Sequence, residues 1–144
     1  MNLEIFNECA RRIQLGQNLN EWKIFLEICE MYLKKHEIKK PVVVELGVGK
    51  NGQKNFYEQL LGAEHIGIDI ARRHHPDIHG DTHDPRTLEA LKNRLGGRSI
   101  NILFIDACHS YESIKRDLKI YFPLCSDIIA LHDIECIRHL DTAV

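Results

Sequence analysis

The sequence predicts a doubly wound α/β domain built on a mainly parallel sheet. Three observations carry that expectation. Apolar runs of strand length alternate with segments of helical periodicity. The runs "PVVVELG", "SINILFID" and "DIIALHD" are continuously apolar and rich in β-branched residues, as strands buried on both faces are. No repeat, low-complexity segment or linker rich in proline and glycine breaks the pattern, so 144 residues read as one domain.

Taken in order, residues 3 to 15 carry Ile5, Phe6, Cys9 and Ile13 at helical spacing. Residues 20 to 36 do the same with Trp22, Phe25, Ile28, Cys29, Tyr32 and Leu33. These two amphipathic helices fill an N-terminal segment, 1–40. The core, 41–133, opens with the three valines after Pro41, a strand expected at the centre of the sheet. A glycine-containing turn over 47–52 leads into a helix in "GQKNFYEQLLG", followed by strands in "HIGIDI" and "DIHGD". A helix from about Asp84 to Leu95, the strand "SINILFID", a helix in "SYESIKRDLKIYFPL" with Ser110 as N-cap, and the strand "DIIALHD" complete the order. Residues 134–144 form a tail.

Composition narrows the function classes. Hydrophobic content of 44% is enough for a real core. Nineteen basic residues against 21 acidic ones give a net charge of -2, which creates no global field for nucleic acid or an anionic membrane. No apolar run approaches the ~20 residues of a membrane-spanning helix, and the N-terminus lacks the apolar stretch of a signal peptide. Five cysteines, odd in number and without a Cys-x-x-Cys pair, argue for reduced thiols in a cytoplasmic protein.

The chemistry concentrates at strand ends. "VELGVGKNG" puts Gly47, Gly49 and Gly52 between a strand and a helix, where the backbone can approach a ligand and helix N–H groups are available. Glu45 precedes the loop, and Asp69 ends the second strand. An ionised Asp69 has acceptor oxygens for both hydroxyls of a ribose. "VVVELGVGKNG" followed by "HIGIDI" resembles the first two motifs of class I S-adenosylmethionine-dependent methyltransferases, with a Rossmann-like fold, over roughly residues 41 to 133. The resemblance implies that Gly47 and Gly49 surround the amino acid part of the cofactor and that Glu45 supports the loop and the methionine ammonium. It also implies that Asp69 holds the ribose and Asp81 meets the adenine. An equal reading makes Asp81 a turn or capping aspartate.

Ligands of doubly wound sheets lie beyond the carboxyl ends of the strands, so Asp106 of "FIDACH" and Asp133 of "ALHD" should reach the same cleft. Two carboxylates about 4 Å apart repel by roughly 4 kcal/mol at an effective dielectric near 20, a penalty that a divalent cation removes. Oxygen ligands favour magnesium, calcium or manganese, and His132 beside Asp133 shifts the choice toward manganese, iron or zinc. His109 lies just past the strand and suits proton removal from a hydroxyl near neutral pH.

"FIDACHSYESIKRDL" with "IIALHD" resembles a narrower branch, the small-molecule O-methyltransferases that include macrolide-sugar enzymes and relatives of cephalosporin hydroxylase. The resemblance implies Mg2+ or another divalent cation held by Asp106 and Asp133, with His109 as base and a small-molecule hydroxyl as acceptor. Some members carry glutamate where this chain has His132. Members also continue with further strands after the His-Asp strand, so the expectation is a sheet lacking the last strands, or one whose edge a second copy covers in a homo-oligomer. Two rivals share the glycine loop: an NAD(P)-binding oxidoreductase, and a non-catalytic module that binds the cofactor. The histidine-rich "RRHHPDIHGDTH" lacks fixed ligand spacing and reads as a polar loop rather than a metal tract.

Overall fold

The computed structural model describes residues 1–12, 18–50 and 52–132. Five strands, all parallel, form one sheet: β1 (Val42–Leu46), β2 (Glu64–Asp69), β3 (Ile78–His79), β4 (Ile100–Ile105) and β5 (Cys125–Leu131). Their order is β3-β2-β1-β4-β5, so β1 is central as its valines predict and β5 is an edge among the described residues. The helices are α1 (Leu3–Arg12), α2 (Leu19–Lys35), α3 (Lys54–Leu61), α4 (Pro85–Leu95) and α5 (Tyr111–Tyr121).

The pleat of β1 distributes the core. Val43 packs with Phe6, Trp22, Leu26, Phe56, Tyr57, Ile102 and Phe104, so α1, α2 and α3 cover one face. Val42, Val44 and Leu46 pack with Ile66, Ile68, Leu91, Leu95 and Tyr121, placing α4 and α5 on the other. Because the helices on either side of β1 go to opposite faces, the carboxyl ends of β1 and β4 part to leave a crevice, the switch point where doubly wound sheets bind ligands.

Local signals set the helix ends. Asn18, Asp84 and Ser110 cap α2, α4 and α5 by accepting from backbone N–H groups two or three residues on. On α2 the expected apolar face is shifted. Trp22, Leu26, Cys29 and Leu33 are buried, whereas Ile28 is 56% exposed, because contact with α3 and the sheet selects a narrower stripe than the apolar residues offer. Residues 13–15, the end of the first expected helix, lie outside the described residues, as do Asp133 and the tail. Cys9 and Cys29 are buried, Cys125 is half-buried and Cys108 is exposed. Among the described residues, no helix is long and apolar enough to cross a membrane.

Candidate functional site

A cleft of about 570 Å³ lies over the carboxyl ends of β1, β2 and β4, within the ordinary range for small-molecule sites. Its lining includes Gly47, Gly49, Asp69, Asp81 and Asp106, so five of the residues singled out from sequence share one cavity. A larger cleft of about 1010 Å³ opens between α4 and α5 and shares Thr82, His83 and Ser113 with the first.

The glycine loop is built by close backbone approach. Gly47 has φ +83°, and a Cβ there would overlap the carbonyl oxygen of Asp106 and the Cα of Ala107. The loop is therefore packed on the end of β4, and this glycine makes room for protein backbone. Gly49 differs: its φ is +50°, and a Cβ would meet nothing within 4 Å. The left-handed backbone alone accounts for glycine at that position.

Asp69 ties the loop to β2. Its Oδ2 accepts from the N–H groups of Val48 (3.1 Å) and Gly49 (3.3 Å) and stands 3.0 Å from His74 Nδ1. Oδ1 accepts from Ala71 N–H at 2.7 Å. Burial pushes the carboxyl pKa up, but the Ala71 N–H, His74 and the Gly49 N–H more than offset it and hold it below the ordinary aspartate value. Oδ2 is crowded, and the remaining acceptor capacity of the carboxylate lies mainly on Oδ1, enough for one ligand hydroxyl.

Glu45 is fully buried on the face covered by α1 to α3. Its Oε2 lies 2.7 Å from His65 Nε2, while Oε1 has no hydrogen-bond partner among the described residues. Burial raises its pKa, and the hydrogen bond and charge of His65 act against that rise. Asp81, half-exposed on the cleft rim, accepts from His83 N–H at 2.8 Å through Oδ1, so its carboxylate both shapes a turn and borders the cavity. The adjoining wall is pinned from behind: Tyr121 donates to the Thr82 carbonyl at 2.7 Å, and His83 Nε2 stands 3.1 Å from buried Asp117.

At the end of β4, Asp106 Oδ1 lies 3.1 Å from His132 Nδ1 and 3.9 Å from His109 Nε2. At 3.1 Å the Asp106–His132 contact is a hydrogen bond that joins the ends of β4 and β5. Asp133, the third expected ligand, lies outside the described residues, and among those residues no group of three metal-binding side chains forms. Cys108, beside Asp106 in the lining, has its thiol pKa lowered by hydrogen bonds from the Ser110 backbone and from the Ser110 and Ser113 side chains.

Sequence reasoning did not single out His65, Thr82, Cys108 or Ser113 for this site, and it assigned His74 and His83 to a polar loop. For His74 the signal was present in "RRHHPDIHGDTH", but its contact with Asp69 needs the short 3-10 turn Arg72–His74, which folds the segment back over β2.

The sheet order and flanking helices define a Rossmann-like methyltransferase fold. Two solved structures show it in particular. MycE methyltransferase from the mycinamycin biosynthetic pathway, in complex with Mg and SAH, superposes with TM-score 0.61 at 17% identity over 85% of this chain. The same enzyme with Mg, SAH and mycinamycin VI gives TM-score 0.61 at 18% identity over 95%. The chain spans 34% and 37% of those two structures. No family model matches the chain, and no curated protein does either.

Proposed function

We propose that this chain binds S-adenosylmethionine above Gly47 and Gly49 and takes part in methyl transfer to a hydroxyl of a small molecule. The observation that carries the reading is the convergence of Asp69, Asp81 and Asp106, from the ends of three different strands, on the cavity around one glycine loop. The fold shared with structures containing SAH and Mg supports it.

The residues fit such a ligand. Oδ1 of Asp69 retains capacity for a ribose hydroxyl, whereas Glu45 is fully buried beneath the loop and does not line the cleft. When bound, S-adenosylmethionine supplies a methyl group on a sulfonium that is its own leaving group. The chain's work is then positioning: the loop and Asp69 fix one end, and Asp81 borders the other. Asp106 and His132, with Asp133, would hold a divalent cation such as Mg2+, which makes an acceptor hydroxyl more acidic. His109, with Nε2 3.9 Å from Asp106 Oδ1, is the group to take that hydroxyl's proton.

Calorimetry with S-adenosylhomocysteine tests the cofactor. Binding is expected for the wild-type chain and should fall at least tenfold in Asp69→Ala, which removes the ribose acceptor and two loop hydrogen bonds. Binding of NAD with no response to S-adenosylhomocysteine would overturn the proposal.

A further inference from the structure

We propose that the cleft between α4 and α5 is a second binding site, for a soluble amphiphile: an apolar body that ends in a phosphate. The inference stands apart from the cofactor reading, because the side chains it uses do not line the first cleft.

The two helices supply an apolar floor. Pro85 and Leu88 lie one turn apart at the start of α4, and Ile120 meets them from the last turn of α5. Leu88 and Ile120 are half-buried, so each packs partly on the core below and offers the rest of its side chain to the groove. At about 1010 Å³ the space is at the upper end of the range for small-molecule sites. It lies between two helices rather than on a flat face, which suits a compact ligand better than a membrane surface.

Cations stand on the rim. Lys115 and Lys119 are one turn apart on α5 with Arg116 between them, and all three are exposed members of the lining. Lys115 Nζ lies 5.7 Å from the centre of the Tyr111 ring, but among the described residues none of the three forms an ion pair. The acids of the lining do not balance them. Asp84 is taken by Arg86, whose Nε and Nη2 stand 3.1 and 2.7 Å from its Oδ2, which leaves Glu112 against three cations. Like charges this close repel, and a phosphate dianion relieves the repulsion; Arg116 can meet it with two parallel N–H groups.

The neighbouring cleft has the opposite character. Asp69, Asp81 and Asp106 line it against the single arginine Arg73, so it repels a phosphate. His83 borders both spaces, and its ring is engaged by acids, with Nε2 3.1 Å from buried Asp117 and Nδ1 4.0 Å from Asp81. The anion therefore belongs at the α5 rim.

Calorimetry on the full chain with octyl phosphate, butyl phosphate, inorganic phosphate and octanol separates the two requirements. Octyl phosphate should bind about tenfold or more tighter than butyl phosphate, since each buried methylene contributes up to about fourfold, and tighter again than inorganic phosphate. Octanol keeps the body without the charge and should bind about tenfold or more weakly than octyl phosphate. Charge reversal then locates the site. Arg116→Glu with Lys119→Glu should weaken octyl phosphate about tenfold or more. Lys35→Glu with Lys40→Glu makes the same change in net charge outside the lining and should alter binding by less than about twofold. All four positions are exposed, so the core is left intact, and the ligand series on the wild-type chain needs no variant at all.

A chain that does not bind octyl phosphate overturns the inference. Equal affinity for octanol or for inorganic phosphate does the same, because one of the two requirements is then missing. Equal weakening by both reversed pairs means attraction to net charge only and overturns the site.

Discussion

At the scale of single residues, the two glycines of one loop do different work, and substitution separates them. Gly47→Ala meets both a left-handed backbone and the Asp106 carbonyl, so we expect a loss of about 3 kcal/mol, read from urea denaturation. Gly49→Ala meets only the backbone term and should cost about 1 kcal/mol in the same measurement. Both positions were legible as glycines of a turn, yet nothing in the sequence says that one is crowded and the other open. The acids were legible for a different reason. Asp69 and Asp106 each follow an apolar run, and a charge after such a run has to lie at or beyond the strand end. His65 was not legible, because it is the second residue of a strand and its partner is chosen by register with a segment twenty residues away.

Secondary-structure elements carry the cleft walls. The wall of residues 80 to 83 has little regular structure and is held by α5, through the bond from Tyr121 to the Thr82 carbonyl. Tyr121→Phe keeps the ring in the core and leaves that carbonyl without its donor, at a cost of about 1–2 kcal/mol. Hydrogen exchange should then rise over residues 80 to 84 before it rises in α4, and an even rise across both would show that the bond does not hold the wall. The strands themselves could be read from continuous apolar runs, and α4 and α5 from their caps. The buried side of α2 was legible through Trp22, Cys29 and Leu33, but its edge was not: Ile28 looks as suitable as Leu26 until the helix is laid against its neighbours. β3 spans two residues and pairs only at Ile68↔Ile78 and Asp69↔His79, so its weak signal in "DIHGD" matches a weak element.

For the whole molecule, the alternation of strands and helices implied the parallel sheet with β1 at its centre, while the assignment of helices to faces emerged only from packing. Each face encloses a carboxylate raised by burial, Glu45 under α1 to α3 and Asp117 on the buried side of α5. Their sign is worked out from linkage. A folded pKa above the unfolded value contributes stability that is full below the ordinary carboxylate range, ~4, and is lost as pH rises through the folded value. Asp69 and Asp77 are lowered, Asp77 because the Gly67 N–H, Lys54 and Arg94 outweigh its burial. Their contribution is present above ~4 and disappears as pH falls through their folded values. Asp117→Asn should therefore reduce the decline of stability between pH 4 and pH 8, leaving the part that belongs to Glu45. Denaturation midpoints at several pH values check this, and an unchanged slope would place the Asp117 charge outside the balance.

The contact between Gly47 and the end of β4 reaches beyond the turn it explains. Because main chain rests on main chain there, the loop beneath one half of the cleft and the acid beside the other half form a single stiff piece. Distances across the cavity are then set by strand positions rather than by rotamers. Side chains farther out along the rim could be exchanged for new acceptors without resetting the alignment between the two halves.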